Sequence, residues 1–263
     1  MYGGLDRKDI ENRALALRKQ YKLVLQRGPD ASAARVSLLH RKGVYRKGAI
    51  LIDLGGGISG HNGLLAQLGM AVYVVDMLGD YWENKATAPS AISEEVKLLE
   101  ACGVQFISHE ISTYDLTVDF AENSVDVVTS FHCIEHLHRS PRLVLESAMR
   151  VLKPGGKMFI EVPNAANARK RLALLRGHTN YEPYNKLYYT DPFVGHVREY
   201  TVGDLRQLAQ NLGASRYRVF GKNTIYGWEW LENIPSPIRN WFDHALQAFP
   251  GLCSALLLEL TKT

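Results

Sequence analysis

The sequence predicts an α/β protein with a doubly wound sheet, and three features carry that reading. The stretch 50–76, ILIDLGGGISGHNGLLAQLGMAVYVVD, sets an apolar run, a glycine loop, a short helix and a second apolar run that ends on Asp76. Further apolar runs follow at 104–109, 124–130 and 157–162, and stretches of helical spacing separate them. Runs this short, lacking polar alternation and bounded by glycine, read as strands buried on both faces.

Ile50, Leu51 and Ile52 form the first strand, and Gly55, Gly56, Gly57 and Gly60 form the loop after it. Glycine tolerates positive φ and lets a ligand approach the backbone, so a strand, a glycine turn, a helix over 63–68 and a strand closing on an acid make half of a nucleotide site. Gly55, Gly57 and Gly60 satisfy G-x-G-x-x-G, with Asp76 near the spacing of a ribose-binding acid. A phosphate loop would need Lys and Ser/Thr where His61 and Asn62 stand. Asp53 ends the first strand just before the loop, where a carboxylate repels a pyrophosphate and favours a cation. The alternative for Asp53 is a loop cap that accepts backbone N–H groups.

Helical spacing returns at 92–101, with Ser90 or Ser93 as cap and Gly103 as stop, before the strand at 104–109. The strand at 124–130 leads into Phe131-His132-Cys133-Ile134-Glu135-His136-Leu137. Pro141 opens a helix to 152, and Lys153-Pro154-Gly155-Gly156 separates it from the fifth strand. Residues 164–198 form a connection too long for a plain turn, with a small basic helix over 167–176. Thr201 caps a helix over 202–212 that Gly213 stops, and strands are expected at 215–220 and 252–261.

The combination D-x-G-x-G at Asp53–Gly57, Asp76, VDVVTSFHCIEHL at 125–137 and VLKPGGKMFIEVPN at 151–164 resembles the class I S-adenosylmethionine-dependent methyltransferases, in particular their ubiquinone-type and other small-molecule branches. That resemblance implies a Rossmann-like seven-stranded sheet whose last strand is antiparallel. It also implies N-terminal helices over the donor site and a lid-like insert. The cofactor would be S-adenosylmethionine, leaving as S-adenosylhomocysteine. Asp53, Gly55 and Gly57 would hold the methionine end, Asp76 the ribose, and Met77, Glu110 and Ile111 the adenine, with Ser130 and Phe131 completing the donor set. Glu110 reads equally as a surface glutamate.

The same resemblance places the 164–200 connection over the acceptor. His132, Glu135, His136 and His196 become catalytic candidates, and Tyr188, Tyr189, Arg198 and Tyr200 substrate candidates. His196 alone in a polar loop reads equally as a hydrogen-bonded anchor. His132–His136 also matches the H-x-x-E-H zinc-peptidase pattern, which requires both histidines on one helix face, whereas these residues sit at a strand-to-helix junction. Some ubiquinone-type enzymes hold a divalent ion with this loop, but His132 stands where they tend to have an acid, so no metal is expected.

Composition bounds the rest. At 263 residues, 46% hydrophobic and 22% charged, the chain is an ordinary globular protein. No apolar run approaches the ~20 residues of a bilayer span, and the charged start is unlike a signal peptide. The three cysteines show no metal spacing, which points to reduced thiols in a cytoplasm. Residues 1–47 hold twelve Lys/Arg against four Asp/Glu, which leaves nineteen against twenty-three for 48–263. This divides the chain into a basic helical extension, 1–47, with an amphipathic helix over 10–24, and a methyltransferase domain, 48–263. The extension reads as a solvated face or as a steering patch for an anionic acceptor.

A Trp-rich insert at 221–251 reads as local core, or as a face for a membrane, a partner subunit or an apolar acceptor. The expected function is methyl transfer to oxygen or nitrogen of a small-molecule or glycan-type acceptor. A nicotinamide oxidoreductase and a catalytically degenerate binding module remain the alternatives. Nucleic acid is disfavoured because no N-P-P-[YF] motif follows the fourth strand, and a homo-oligomer stays open.

Overall fold

In the computed structural model, the strand β1 (Ile50–Leu54) extends past the apolar triplet to include Asp53. It pairs in parallel with β2 (Ala71–Val75) in the register Ile50↔Ala71 through Leu54↔Val75. On its other side it pairs in parallel with β4 (Val125–Phe131), with Asp53 opposite Thr129. β3 (Val104–Ile107) adds to β2. Leu51, Ile52, Val72, Val74, Val127 and Val128 are fully buried, which is why these runs carry almost no polar alternation. The structure describes residue 12, residues 29–78, 89–179, 181–191, 193–223, 245 and 247–263, apart from the side chains of 29–33 and 89–93. The expected helix at 10–24, apart from residue 12, and the tryptophans of the 221–251 insert lie outside these residues.

All seven strands form one sheet in the order β3-β2-β1-β4-β5-β7-β6, with β5 spanning Leu152–Pro163, β6 Arg216–Lys222 and β7 Ala255–Thr261. β7 runs antiparallel to β6, from Arg216↔Thr261 to Lys222↔Ala255, as expected for the last strand. The chain forms two compact units, residues 1–130 with 141–157, and residues 131–140 with 158–263.

In the first unit, α1 (Pro29–Arg41) packs on α2 (Gly60–Gln67), and α3 (Pro89–Ala101) on β3. α1 therefore packs within the same unit as β1. α2 starts three residues before the expected position, because the Gly60–Gly63 turn is buried and its side chains bond to β1, which overrides the poor helix propensity of Gly and Asn. α3 likewise starts early, with Pro89 at its first position, where the missing N–H costs nothing. β3 stops at Ile107 because residues 111–113 turn back on Glu110.

α4 (Arg142–Val151) buries Val144, Ala148 and Val151 at helical spacing, and its Ser147 hydroxyl accepts the Leu116 N–H. Buried Asp126 ties the start of the sheet together: it accepts from the Ile50 N–H at 2.9 Å, from Lys153 Nζ at 2.7 Å and from Arg46. The Lys-Pro-Gly-Gly expected as a loop is incorporated into β5, with Gly155 at φ +80 making the bend.

In the second unit, Met158, Phe159, Ile160 and Val162 supply the buried half of β5. α7 (Val202–Asn211) opens with a complete capping box of Thr201 and Asp204 and buries Leu205 and Ala209. Asn164 fastens the connection after β5: its Nδ2 donates to the Gly251 and Cys253 carbonyls, and its Oδ1 accepts from Ala166. Asn167 then caps α5 (Ala168–Leu175), the expected basic helix. A further short helix, α6 (Tyr184–Tyr189), follows it. β7 starts at Ala255 because residues 250–252 take a tight turn opened by Pro250. Cys102, Cys133 and Cys253 are buried thiols. Among the described residues, no helix is long and apolar enough to cross a membrane.

Candidate functional site

The loop between β1 and α2 is shaped by glycines whose conformations other residues resist. Gly55 sits at φ +66 and gives its N–H to Val75, and Gly57 sits at φ +50 and gives its N–H to Asp76 Oδ2 at 2.9 Å. A Cβ on Gly56 would stand 2.3 Å from Asp53 Oδ2 and 2.9 Å from Asn62 Nδ2, so the loop lies directly on the carboxylate.

Asp53 is fully buried, and its oxygens are engaged by side chains. Oδ1 accepts from Thr129 Oγ1 at 2.6 Å, and Oδ2 accepts from Asn62 Nδ2 at 2.8 Å with His61 Nε2 at 3.2 Å. Burial pushes its pKa up, but His61, Thr129 and Asn62 together hold it below the ordinary carboxylate range. Among the described residues no loop amide donates to it, so the capping alternative takes a different form. Asp53 fixes the first turn of α2 to β4, and the loop takes its shape above that anchor. His61, Asn62 and Thr129 were not singled out for this; the available signal was two polar residues at the start of a helix flanked by apolar runs.

Asp76 follows β2 and is partly exposed. Burial first, and the like charge of Asp53 second, raise its pKa to about 6 despite the Gly57 hydrogen bond. Met77 beside it is partly exposed. Glu110 turns its carboxylate back onto its own turn, accepting from the Ser112 and Thr113 hydroxyls, with Ile111 next to it. Ser130 is buried, and among the described residues its hydroxyl has no hydrogen-bond partner. Thus Asp53, Gly55, Gly57 and Asp76 are linked through one loop in the first unit.

In the second unit, buried Phe131 closes β4 and His132 follows at φ +57, a left-handed conformation uncommon for a side chain of this size. Its N–H donates to the Glu161 carbonyl. Its ring lies between two carboxylates, Nε2 at 3.0 Å from Glu161 Oε1 and Nδ1 at 3.3 Å from Glu135 Oε1. Lys222 Nζ balances Glu161 at 2.8 Å. Glu135 is 0% exposed, and its backbone carbonyl accepts from both Val197 and Arg198, tying the 131–140 segment to the stretch before α7. Of the H-x-x-E-H residues, Glu135 and His136 sit in a tight turn, Ile134–His136, and His132 precedes it at positive φ, so the two histidines do not share a helix face as a peptidase requires.

His136 donates from Nδ1 to the Gly195 carbonyl at 2.9 Å, and its Nε2 lies 4.0 Å from Glu135 Oε1. His196 stands edge-on to it, ring centres 4.9 Å apart, with Nδ1 2.9 Å from Glu199 Oε1. Burial, reinforced by the neighbouring His136, lowers the His196 pKa, which keeps the ring neutral near pH 7. Lys170, ion-paired to Glu199, is itself pushed down to about 8, chiefly by burial. One potential ligand atom from each of Glu135, His136 and His196 lies within 4.8 Å of the other two, a spacing that an ion could bridge.

Tyr200 is nearly buried, its phenol pushed up to about 12 by burial, and the Arg198 guanidinium lies 5.8 Å from its ring centre while pairing with Asp204. Tyr188 and Tyr189 sit on α6, their rings edge to face at 4.9 Å and both largely exposed.

Residues 26–216 match a family model described as a methyltransferase domain. Among solved structures, an S-adenosylmethionine-dependent methyltransferase from Archaeoglobus fulgidus is similar at 15% identity and TM-score 0.54, covering 94% of this chain and 99% of that one. Phosphoethanolamine N-methyltransferase 2 of Haemonchus contortus, solved with phosphomonomethylethanolamine and S-adenosylhomocysteine, is similar at 15% identity and TM-score 0.52. The similarity covers 98% of this chain but only 60% of that longer protein. A 1,6-didemethyltoxoflavin-N1-methyltransferase from Burkholderia thailandensis is similar at 16% identity and TM-score 0.50, covering 98% and 87%. No protein of curated function matches the sequence. At these identities the structures share the fold, and the strand order β3-β2-β1-β4-β5-β7-β6 is that of the class I methyltransferases. With well over half of its length matched by the model, the chain belongs to the methyltransferase-domain family.

Proposed function

We propose that the chain transfers the methyl group of S-adenosylmethionine to a nitrogen or oxygen of a small-molecule acceptor, with glycan-type acceptors included. The observation that carries this reading is the Gly55–Gly57 loop, bounded by Asp53 beneath it and Asp76 beside it, in a chain of the methyltransferase-domain family. The residues fit the donor. Asp76 is partly exposed with one oxygen on the Gly57 N–H, so the other can accept from ribose hydroxyls. The solved structures named above, two of them containing S-adenosylhomocysteine, support the same donor.

When bound, the donor supplies an electrophilic methyl on a sulfonium, and transfer is an in-line displacement in which the carbon–sulfur bond breaks as the new bond forms. The protein's contribution is alignment, which can supply several kcal/mol of the barrier. Gly55 and Gly57 would admit the methionine end to the backbone, Asp53 anchors that loop through Asn62, and Met77, Glu110 and Ile111 would hold the adenine. On the acceptor side, His136, held through Nδ1 by the Gly195 carbonyl, would take a proton on Nε2, and neutral His196 backs it. His132 and Glu135 hold that turn, and Arg198 and Tyr200 flank it.

Incubation with methyl-tritiated S-adenosylmethionine and a fractionated cell extract tests this. Label is expected in the low-mass or glycan fraction. Label confined to nucleic acid or protein would overturn the acceptor class, and no transfer to any fraction by protein that binds the donor would favour the degenerate binding module.

A further inference from the structure

α5 and α6 contain no buried residue, although the stretch they occupy is rich in large apolar side chains. Leu172 and Leu174 are about half exposed and Leu175 is 85% exposed; Tyr181 and Tyr184 further along are 83% and 70% exposed. A helix of two turns does not persist in water on its own propensity. Here its N-terminal end is anchored: Asn167 caps it, and Arg171 donates from Nε to the Ala166 carbonyl and from Nη2 to the Gly251 carbonyl. The leucines are therefore displayed by a held element.

Charge surrounds them. Residues 168–190 hold five Lys/Arg against one Glu. Lys170 and Lys186 are paired with Glu199 and Glu182, whereas Arg169 and Arg176, near the two ends of the helix, have no carboxylate partner among the described residues. Exposed leucines between unneutralised arginines, followed by exposed tyrosines, have the composition of a helix lying in a membrane interface. There leucine enters the acyl boundary, tyrosine sits at headgroup level and the guanidinium reaches phosphate.

We propose that α5 and the tyrosine-bearing stretch after it dock this protein onto an anionic lipid bilayer. The surface supplies positive charge and apolar area together, and a bilayer of anionic lipid complements both, which a soluble anion would not. No donor is required for this docking, so it stands or falls separately from methyl transfer.

Co-sedimentation of the full chain with vesicles tests it. The protein is expected to pellet with mixed phosphatidylcholine and phosphatidylglycerol vesicles at low salt, to stay in the supernatant with pure phosphatidylcholine, and to release as salt rises. Arg169→Gln and Arg176→Gln are each expected to weaken partition about fivefold, and Leu175→Ser about tenfold. All three side chains are exposed, so the circular dichroism spectrum should be unchanged. Absence of pelleting at low salt, equal pelleting with neutral and anionic vesicles, or undiminished binding by the variants would overturn the proposal. So would a concentration-dependent dimer in light scattering that Leu175→Ser dissociates while vesicles bind neither form.

Discussion

Replacing Asp76 by Asn should move donor affinity and folding stability in opposite directions. The Asp76 carboxyl is raised from 3.8 to about 6, so at neutral pH the folded protein keeps ionised a group that its surroundings disfavour. Sign follows from proton uptake. A carboxyl with a raised native pKa binds protons more tightly when folded, so its contribution to stability is present below about pH 4 and is lost as pH rises through about 6. Two pKa units correspond to at most about 3 kcal/mol, less for a partly exposed group, so Asp76→Asn should raise stability at pH 7 by about 1–2 kcal/mol. The amide oxygen can still accept the Gly57 N–H.

Ribose hydroxyls, however, lose a charged acceptor worth about 1.5–3 kcal/mol, so affinity for S-adenosylhomocysteine should fall about tenfold to a hundredfold. The wild-type protein should also bind about tenfold more weakly at pH 5 than at pH 7, because most of the carboxyl is protonated below its pKa, and the Asn variant should lose that dependence. Calorimetric titration and urea unfolding of both proteins measure the two effects. A variant that binds as tightly as wild type, or a wild-type affinity flat from pH 5 to 7, would refute the ribose assignment.

Gly56→Ala should destabilise the fold by about 1–3 kcal/mol in urea unfolding and weaken donor binding with it, since the added methyl meets the Asp53 carboxylate at 2.3 Å. Asp126→Ala should cost about 3 kcal/mol, because the Ile50 N–H, Lys153 and Arg46 lose their shared acceptor. Burial opposes ionisation of Asp126, but Lys153, Ile50 and Arg46 hold its pKa below 3.8, so its contribution is present above the ordinary carboxylate range and lost in acid as pH falls below it. The His196 ring, whose pKa burial lowers, should titrate below pH 6.5 in a proton NMR series and add stability as pH rises through that range; a midpoint above 7 would contradict its neutral role. Exhaustive dialysis against EDTA should leave methyl transfer unchanged. Loss of activity restored by a divalent ion would turn Glu135, His136 and His196 into ligands.

The first half of the sheet could be read from local pattern alone, since Ile50–Leu54 and Ala71–Val75 are buried on both faces and their glycine loop needs φ values that only glycine adopts freely. Helix ends marked by their own chemistry were equally legible: Thr201 with Asp204 and the positive φ of Gly213 bound α7 closely. Long-range contacts were not. Asp53 meets Thr129 from a strand 76 positions away, and nothing local distinguishes that from a carboxylate facing a ligand. The left-handed turn at His132 depends on Glu161 and Lys222 from two later strands. α6 was hidden because Tyr, Asn and Lys in six residues carry no amphipathic signal, and α2 began early because buried side-chain bonds outweighed its glycines. His136 and His196 were each visible in sequence, but their pairing at 4.9 Å was not, because sixty residues separate them.

Equilibrium dialysis of the purified chain against tritiated S-adenosylmethionine, with NADH and NADPH fluorescence titrated in parallel, bears most directly on the donor assignment. One labelled molecule per chain, displaced by S-adenosylhomocysteine and accompanied by no nucleotide fluorescence change, is the expected result. Saturable NADH or NADPH binding with no retention of label would contradict it.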